Sequence, residues 1–112
     1  MRYRLSNHPE VPRDFERILK FIGSYAGYSL AQRKTSEIKQ FIDKLKDRPH
    51  VGTVRNEIVH GLRALPVAEK ATVCFTVDDE THTVKIVCVT YAGQDWRKIA
   101  AERENQDLSR NI

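Results

Sequence analysis

The sequence predicts an α+β fold: an N-terminal strand, an antiparallel α-helical hairpin packed on a small antiparallel β-sheet, and a short C-terminal helix or tail. Three observations carry this. Residues 71 to 91 alternate apolar and polar side chains with the period of two that a half-buried strand imposes. Residues 11 to 45 hold two stretches whose apolar residues recur at helical spacing. The connection between those stretches is too short for anything but antiparallel neighbours.

Tyr3-Arg4-Leu5-Ser6 alternates and reads as a short first strand in the same sheet. Asn7 with Glu10 has the spacing of a helix cap with a reciprocating acid, and Pro9 is tolerated in a first helical turn. Val11, Phe15, Ile18, Leu19 and Ile22 then form the apolar stripe of a first helix, with Arg13, Asp14, Glu16, Arg17 and Lys20 on its wet side. Gly23 and Gly27 flank a break at Ser24-Tyr25-Ala26. Ser29 with Gln32 repeats the cap spacing, and Leu30, Ile38, Phe41, Ile42 and Leu45 supply the second stripe until Asp47-Arg48-Pro49 stops the helix. Neither stripe is satisfied alone, so the hairpin is expected across one face of the sheet.

Residues 50 to 60 lack a clean period and read as a loop with Arg55 and Glu57 in solvent. From Gly61 to Tyr91 three apolar runs, broken by Pro66, by Glu69-Lys70 and by Asp78-Asp79-Glu80-Thr81, read as a meander. Ala71, Val73, Phe75 and Val77 share one face of its second strand. The third strand is apolar on both faces, with Val84, Ile86 and Cys88 opposed to Val87, Val89 and Tyr91, which marks it as central. An even-numbered turn at Asp79-Glu80 sets Cys74 against Lys85 and turns Cys88 to the other side, so both cysteines are expected as reduced thiols unless an odd loop shifts the register. Asp95 is a candidate cap for a short helix with Trp96, Ile99 and Ala100 on its apolar side and Trp96 against the sheet edge. The domain is therefore placed at residues 1–101. Residues 102–112, polar apart from Leu108 and Ile112, read as a mobile tail.

A chain of 112 residues is one domain, able to bury about two-thirds of its unfolded surface without disulfides or metals. Its 40% apolar and 30% charged composition is ordinary for a soluble protein. It has no apolar run long enough to span a bilayer, and Met1-Arg2-Tyr3 opens no signal peptide, so a cytoplasmic location is expected. The net charge of +4 is uneven: residues 1–70 hold 14 basic and 8 acidic groups, residues 71–112 hold 5 and 7. That asymmetry suits an acidic partner, nucleic acid or protein, and is equally compatible with simple solubility.

Catalytic signals are thin. His8, His50, His60 and His82 are scattered without metal-ligand spacing, and there is neither a glycine-rich phosphate loop nor a nucleophile turn. No metal or cofactor is expected. The candidates that remain are Arg63, Lys70, Lys85, Tyr91, Trp96 and Arg97. Cations on a sheet with a phenol at its margin can grip a phosphodiester and assist proton transfer, or they can solvate an open face or meet an acidic partner.

The segments Tyr3 to Ser6, Phe15 to Ile22, Ile38 to Leu45, Arg48-Pro49-His50-Val51-Gly52, Gly61-Leu62-Arg63-Ala64-Leu65-Pro66-Val67 and Val84 to Tyr91 together resemble the RelE/ParE superfamily of toxins from bacterial toxin–antitoxin systems. The resemblance covers residues 3 to about 97 and is nearer the ParE branch, although Ala68-Glu69-Lys70 stands where a glycine and an aromatic are frequent. It implies a cognate antitoxin bound in a complex of higher order, a role in plasmid stabilization, and poisoning of DNA gyrase by an inhibitor that is not itself a catalyst. Similarity to RelE implies instead a ribosome-dependent mRNA interferase, for which only Arg63 and Tyr91 match. A toxin-like binding protein without activity is the third alternative.

Overall fold

The strand alternation and the paired helical stripes fold as one sheet carrying helices on both faces. The computed structural model describes residues 2–110, with side chains to residue 105; the expectations about Leu108 and Ile112 lie outside the described residues. The elements run β1 (Arg4–Asn7), α1 (Val11–Ala26), α2 (Tyr28–Lys44), β2 (Thr53–Val54), β3 (Arg63–Val67), β4 (Ala71–Asp78), β5 (Thr83–Tyr91) and α3 (Trp96–Arg110). The sheet order is β1-β5-β4-β3-β2, which makes β5 internal, as its apolar faces require. The meander is antiparallel throughout. β1, however, lies parallel to β5, with Leu5 opposite Val84, so the sheet is mixed rather than purely antiparallel.

Ile18 and Ile22 of α1 and Ile38 and Ile42 of α2 pack with Val73, Phe75, Val84, Ile86 and Val89 in the larger core, so the hairpin covers one face of the sheet. Its caps differ from the sequence expectation. Asn7 is still in β1, and the N–H of Glu10 is accepted by the Nδ1 of buried His8 at 3.1 Å. α1 runs through Gly23 without a break, and Gly27 alone, at φ 91°, separates the helices, so Ser29 is already helical and caps nothing. A positive φ at one glycine reverses the chain in less space than a three-residue break.

The loop expected at residues 50–60 contains β2, which pairs with Ala64 and Arg63. Two residues are too few to leave a periodic trace. Gly52 precedes it at φ 80°, where an added Cβ would lie 2.8 Å from the Ala64 carbonyl oxygen. Arg55 is half-buried rather than solvated and pairs with Glu57 at 3.0 Å.

The β4–β5 register departs furthest from expectation. Val77 faces Val84 and Phe75 faces Ile86, two residues beyond the expected register. A one-residue shift after Phe75 then places Cys74 opposite Cys88. This bulge accommodates Val87 as the extra residue, so Val87 and Cys88 both join the smaller core while Val89 and Tyr91 join the hairpin side. That smaller core, with Leu62, Ala64, Cys74 and Ala100, lies under α3, so the second face of the sheet is partly covered.

Asp14, read as a wet-side residue, is 4% exposed. β1 ends at Asn7, whereas β5 continues to Tyr91 and leaves backbone groups along that edge to be satisfied. The Val89 N–H donates to Asp14 Oδ2 at 3.0 Å, and Arg103 Nη1 donates to the Val87 carbonyl at 3.0 Å. Arg103 closes the bridge with two bonds to Asp14, at 2.6 and 2.7 Å. The carboxylate and burial act oppositely on the guanidinium, and the carboxylate dominates, raising its pKa.

Replacing Arg103 with Met strands the Asp14 charge beside an unpaired Val87 carbonyl. Arg103→Met is therefore expected to lower unfolding stability by about 3–5 kcal/mol, read from urea denaturation. Gly52→Ala is expected to lose about 1–3 kcal/mol by the same measurement, because it combines a positive φ with a backbone clash.

Candidate functional site

Two turns build the site. Ala68 and Glu69 adopt φ 49° and 68°, a left-handed pair unusual without glycine, and this turn carries Lys70 to the start of β4. The Lys70 carbonyl accepts the Ala92 N–H at 2.9 Å, tying the turn to the segment after β5. There the Tyr91 N–H is accepted by Gln94 Oε1 at 3.0 Å, and Asp95 Oδ1 accepts the Lys98 N–H at 3.3 Å, the expected cap of α3. Together they place Lys70, Tyr91, Trp96 and Arg97 around an open depression of about 420 Å³, whose floor includes Thr72 and Thr90, opposed across β4 and β5.

Trp96 lines this depression, half-buried against the smaller core, with two guanidiniums over its ring. Arg97 Cζ is 4.5 Å and Arg55 Cζ 5.1 Å from the ring centroid, a cation–π ladder. Arg55 belongs to this constellation. Its candidacy was not visible in a stretch without periodicity.

The other candidates lie apart. Arg63 is half-buried on β3 and donates to the Val51 carbonyl at 3.3 Å. It stands opposite Phe75, whereas Tyr91 stands opposite Ala71. Four residues along the strand and two strand spacings across put their Cα atoms about 16 Å apart. Lys85 pairs with Glu104 of α3 at 3.2 Å. Tyr91 is 6% exposed, and burial together with a hydrogen bond to Tyr25 pushes its phenol pKa up, which keeps the hydroxyl neutral. Phe21, 6.1 Å from the Tyr91 ring, and Tyr25 and Tyr28 are all more than half exposed, so an aromatic patch continues from the depression toward the Gly27 turn.

A second cluster escaped sequence reasoning because its members are far apart in the chain. The Tyr3 hydroxyl donates to Asp79 Oδ1 at 2.6 Å, and His50 Nε2 lies 2.7 Å from the same oxygen. The His82 ring is edge-on to Tyr3 at 5.0 Å. The Tyr3 bond chiefly, then His50, lowers the Asp79 pKa. Among the described residues no group of three or more His, Cys, Asp or Glu is arranged to hold a metal ion, and no helix is long and apolar enough to cross a membrane.

The comparisons with known proteins assign this mixed sheet and helical hairpin to the class of toxins in which ParE stands. The sequence model for the ParE toxin of the type II toxin-antitoxin system, parDE, matches residues 5–96. The chain belongs to that family. The structure is similar to the chromosomal ParDE system of P. aeruginosa, with TM-score 0.69 at 16% identity over 80% of this chain and 96% of that one. It also resembles the RelBE2 toxin-antitoxin complex of Mycobacterium tuberculosis, with TM-score 0.58 at 17% identity over 81% and 99%. A mutant of the E. coli toxin RelE in the free state gives 0.60 at 12% identity over the full length of both chains. Among curated proteins, none matches the sequence.

The lowered Asp79 pKa has a fixed sign. Its contribution to stability is present above the ordinary carboxylate value of 3.8 and is lost as pH falls through the lower folded value. Asp79→Asn is expected to flatten the acid side of the stability profile, measured as urea midpoints from roughly pH 5 to 2, and to leave the slope near neutrality unchanged.

Proposed function

We propose that this protein is the toxin of a type II toxin–antitoxin pair, acts in the cytoplasm by binding DNA gyrase and stabilising cleaved DNA, and is neutralised by a cognate antitoxin. Membership of the ParE family supports the class. The observation that carries the choice of binding over catalysis is the dispersal of the acid–base candidates. Arg63 and Tyr91 stand on opposite sides of β4 and four residues out of register, and the Tyr91 hydroxyl faces Tyr25. A proton donor must come within about 3 Å of the group it serves. What gathers instead is a surface for recognition: Arg55, Lys70 and Arg97 around Trp96, with exposed Phe21, Tyr25 and Tyr28 beyond Tyr91. Cations interleaved with aromatics suit an acidic partner that also offers flat or apolar surface.

The antitoxin reading rests on relatives described as toxin-antitoxin complexes and on an apolar groove of the helical hairpin. Val11, Pro12, Phe15, Leu19 and Ile42 line that groove, with Lys39 and Glu16 at its rim, in a cavity of about 470 Å³. An amphipathic segment with apolar residues at helical spacing fits such a surface.

Expression of the chain without its antitoxin is expected to arrest growth and to yield gyrase-dependent double-strand breaks, recovered as linear plasmid after detergent and protease treatment. Growth arrest with intact, normally supercoiled DNA overturns the gyrase reading. mRNA cut at defined codon positions favours the ribosome-dependent alternative. Arg97→Glu combined with Trp96→Ala is expected to weaken toxicity about tenfold or more at unchanged fold. Arg63→Ala and Tyr91→Phe are expected to stay within about twofold. Loss of toxicity in the second pair alone would assign the activity to a nuclease.

A further inference from the structure

Cys74 and Cys88 were expected on opposite sides of the sheet, and the bulge in β5 brings them face to face. They are register partners across β4 and β5, each with no exposed surface, and both are free thiols. Directly opposed residues of an antiparallel pair have Cα atoms about 4.5–5.5 Å apart. That separation falls inside the range of about 4.4–6.8 Å that a disulfide spans without backbone movement. A register continued without the shift would set Cys74 against Val87. The juxtaposition therefore depends on one inserted residue.

We propose that Cys74 and Cys88 form a redox-active dithiol that closes to an intrachain disulfide by exchange with a low-molecular-weight disulfide when α3 lifts from the sheet. The seal over the pair is thin. Among the described side chains of α3, Ala100 is fully buried over the smaller core, and Trp96 and Ile99 are half-buried beside it. The side chains of α3 from residue 101 to 105 add the Arg103–Asp14 and Lys85–Glu104 pairs and no large apolar group. In its described residues α3 is held by these apolar contacts and by the two ion pairs, and an element so held opens at lower free energy than the central strands beneath it. In the closed state both thiols are out of reach of solvent, and the neighbouring Cys88 and burial push the Cys74 pKa far above its ordinary value. Opening admits water and lowers that barrier.

The exchange balances without further reagents. One cysteine, as thiolate, attacks a sulfur of the small disulfide and expels one of its halves as a thiolate. The second cysteine, having lost its proton to solvent, attacks the sulfur of the first and expels the other half. The two cysteines give up two electrons and two protons, and the small disulfide is reduced to two thiols.

The test treats the purified full chain, folded in native buffer, with oxidised glutathione, followed by acid quench, alkylation and intact mass. The expected product has lost two hydrogen atoms, carries no retained glutathione, and links Cys74 to Cys88 in a peptide map. Arg103→Lys, which weakens the two-point grip on Asp14 while keeping the charge, is expected to speed closure about tenfold, with folding checked by circular dichroism. Thiols that stay unmodified until urea unfolds the protein overturn the proposal. So do persistent mixed disulfides, chain-to-chain dimers, or a folded Arg103→Lys protein that reacts at the wild-type rate.

Discussion

The structure depends on how the edge of β5 is finished. β1 is four residues long and β5 is nine, so the parallel partner runs out while the central strand continues. Unpaired backbone groups at a half-sealed edge are costly, and here side chains take over from the strand. Asp14 accepts from Val89, Arg103 donates to Val87, and the two ions bind each other with bonds shorter than 3 Å. Burying two charges costs several kcal/mol each, and a pair recovers that only when its geometry is good and its remaining valences are filled. Both conditions hold, because each ion also bonds to the strand. Arg17, 3.6 Å from Asp14, adds a second cation.

This closure couples elements that would otherwise be independent. Asp14 is on α1, Arg103 is on α3, and the backbone between them is the edge of β5 beyond the end of β1, so the hairpin on one face and the helix on the other are oriented through a common point. The first turn of α3 carries Trp96 and Arg97, and the orientation of that helix decides where the indole and the Arg97 guanidinium stand relative to Lys70 and Arg55. The bulge acts in the same place. It turns Val89 and Tyr91 toward the hairpin and their N–H groups toward Asp14 and Gln94. It also fixes the position of the segment that leads into α3.

The proposed binding surface is built on a single aromatic ring and the cations around it. Trp96 is held by cation–π attraction to two guanidiniums and by the smaller core against which it packs. Chemistry on a phosphodiester asks for an acid or base at contact distance with its pKa drawn toward neutrality. Tyr91 is moved the other way, toward a permanently neutral phenol, by its burial against Tyr25. The cluster of Tyr3, His50 and Asp79 spends its hydrogen bonds tying the N-terminal strand to the loop after α2 and the β4–β5 turn.

Local pattern was enough to read the longer elements up to Tyr91, but not β2, nor the continuation of α3 to Arg110 through a stretch read as a mobile tail. Alternation in Ala71 to Val77 marked a strand whose Phe75 face is core, the two-faced apolar run to Tyr91 marked the central strand, and the isoleucines of α1 and α2 marked the hairpin, because burial of one face leaves a period in the chain. The order of those segments also carried the toxin resemblance that the family match bears out. Features that needed the fold were all non-local. Asp14 has the spacing of a solvated helix residue until an arginine 89 positions away reaches it, and that arginine sits in a stretch whose composition is that of a tail. The helix caps proposed at Asn7 and Ser29 obey a local rule that strand pairing and a single glycine overrode. Period and composition are summed along the chain, whereas bulges, buried ion pairs and the meeting of Cys74 with Cys88 are set by which strand edge is left to be satisfied, a quantity defined only once the chain has closed on itself.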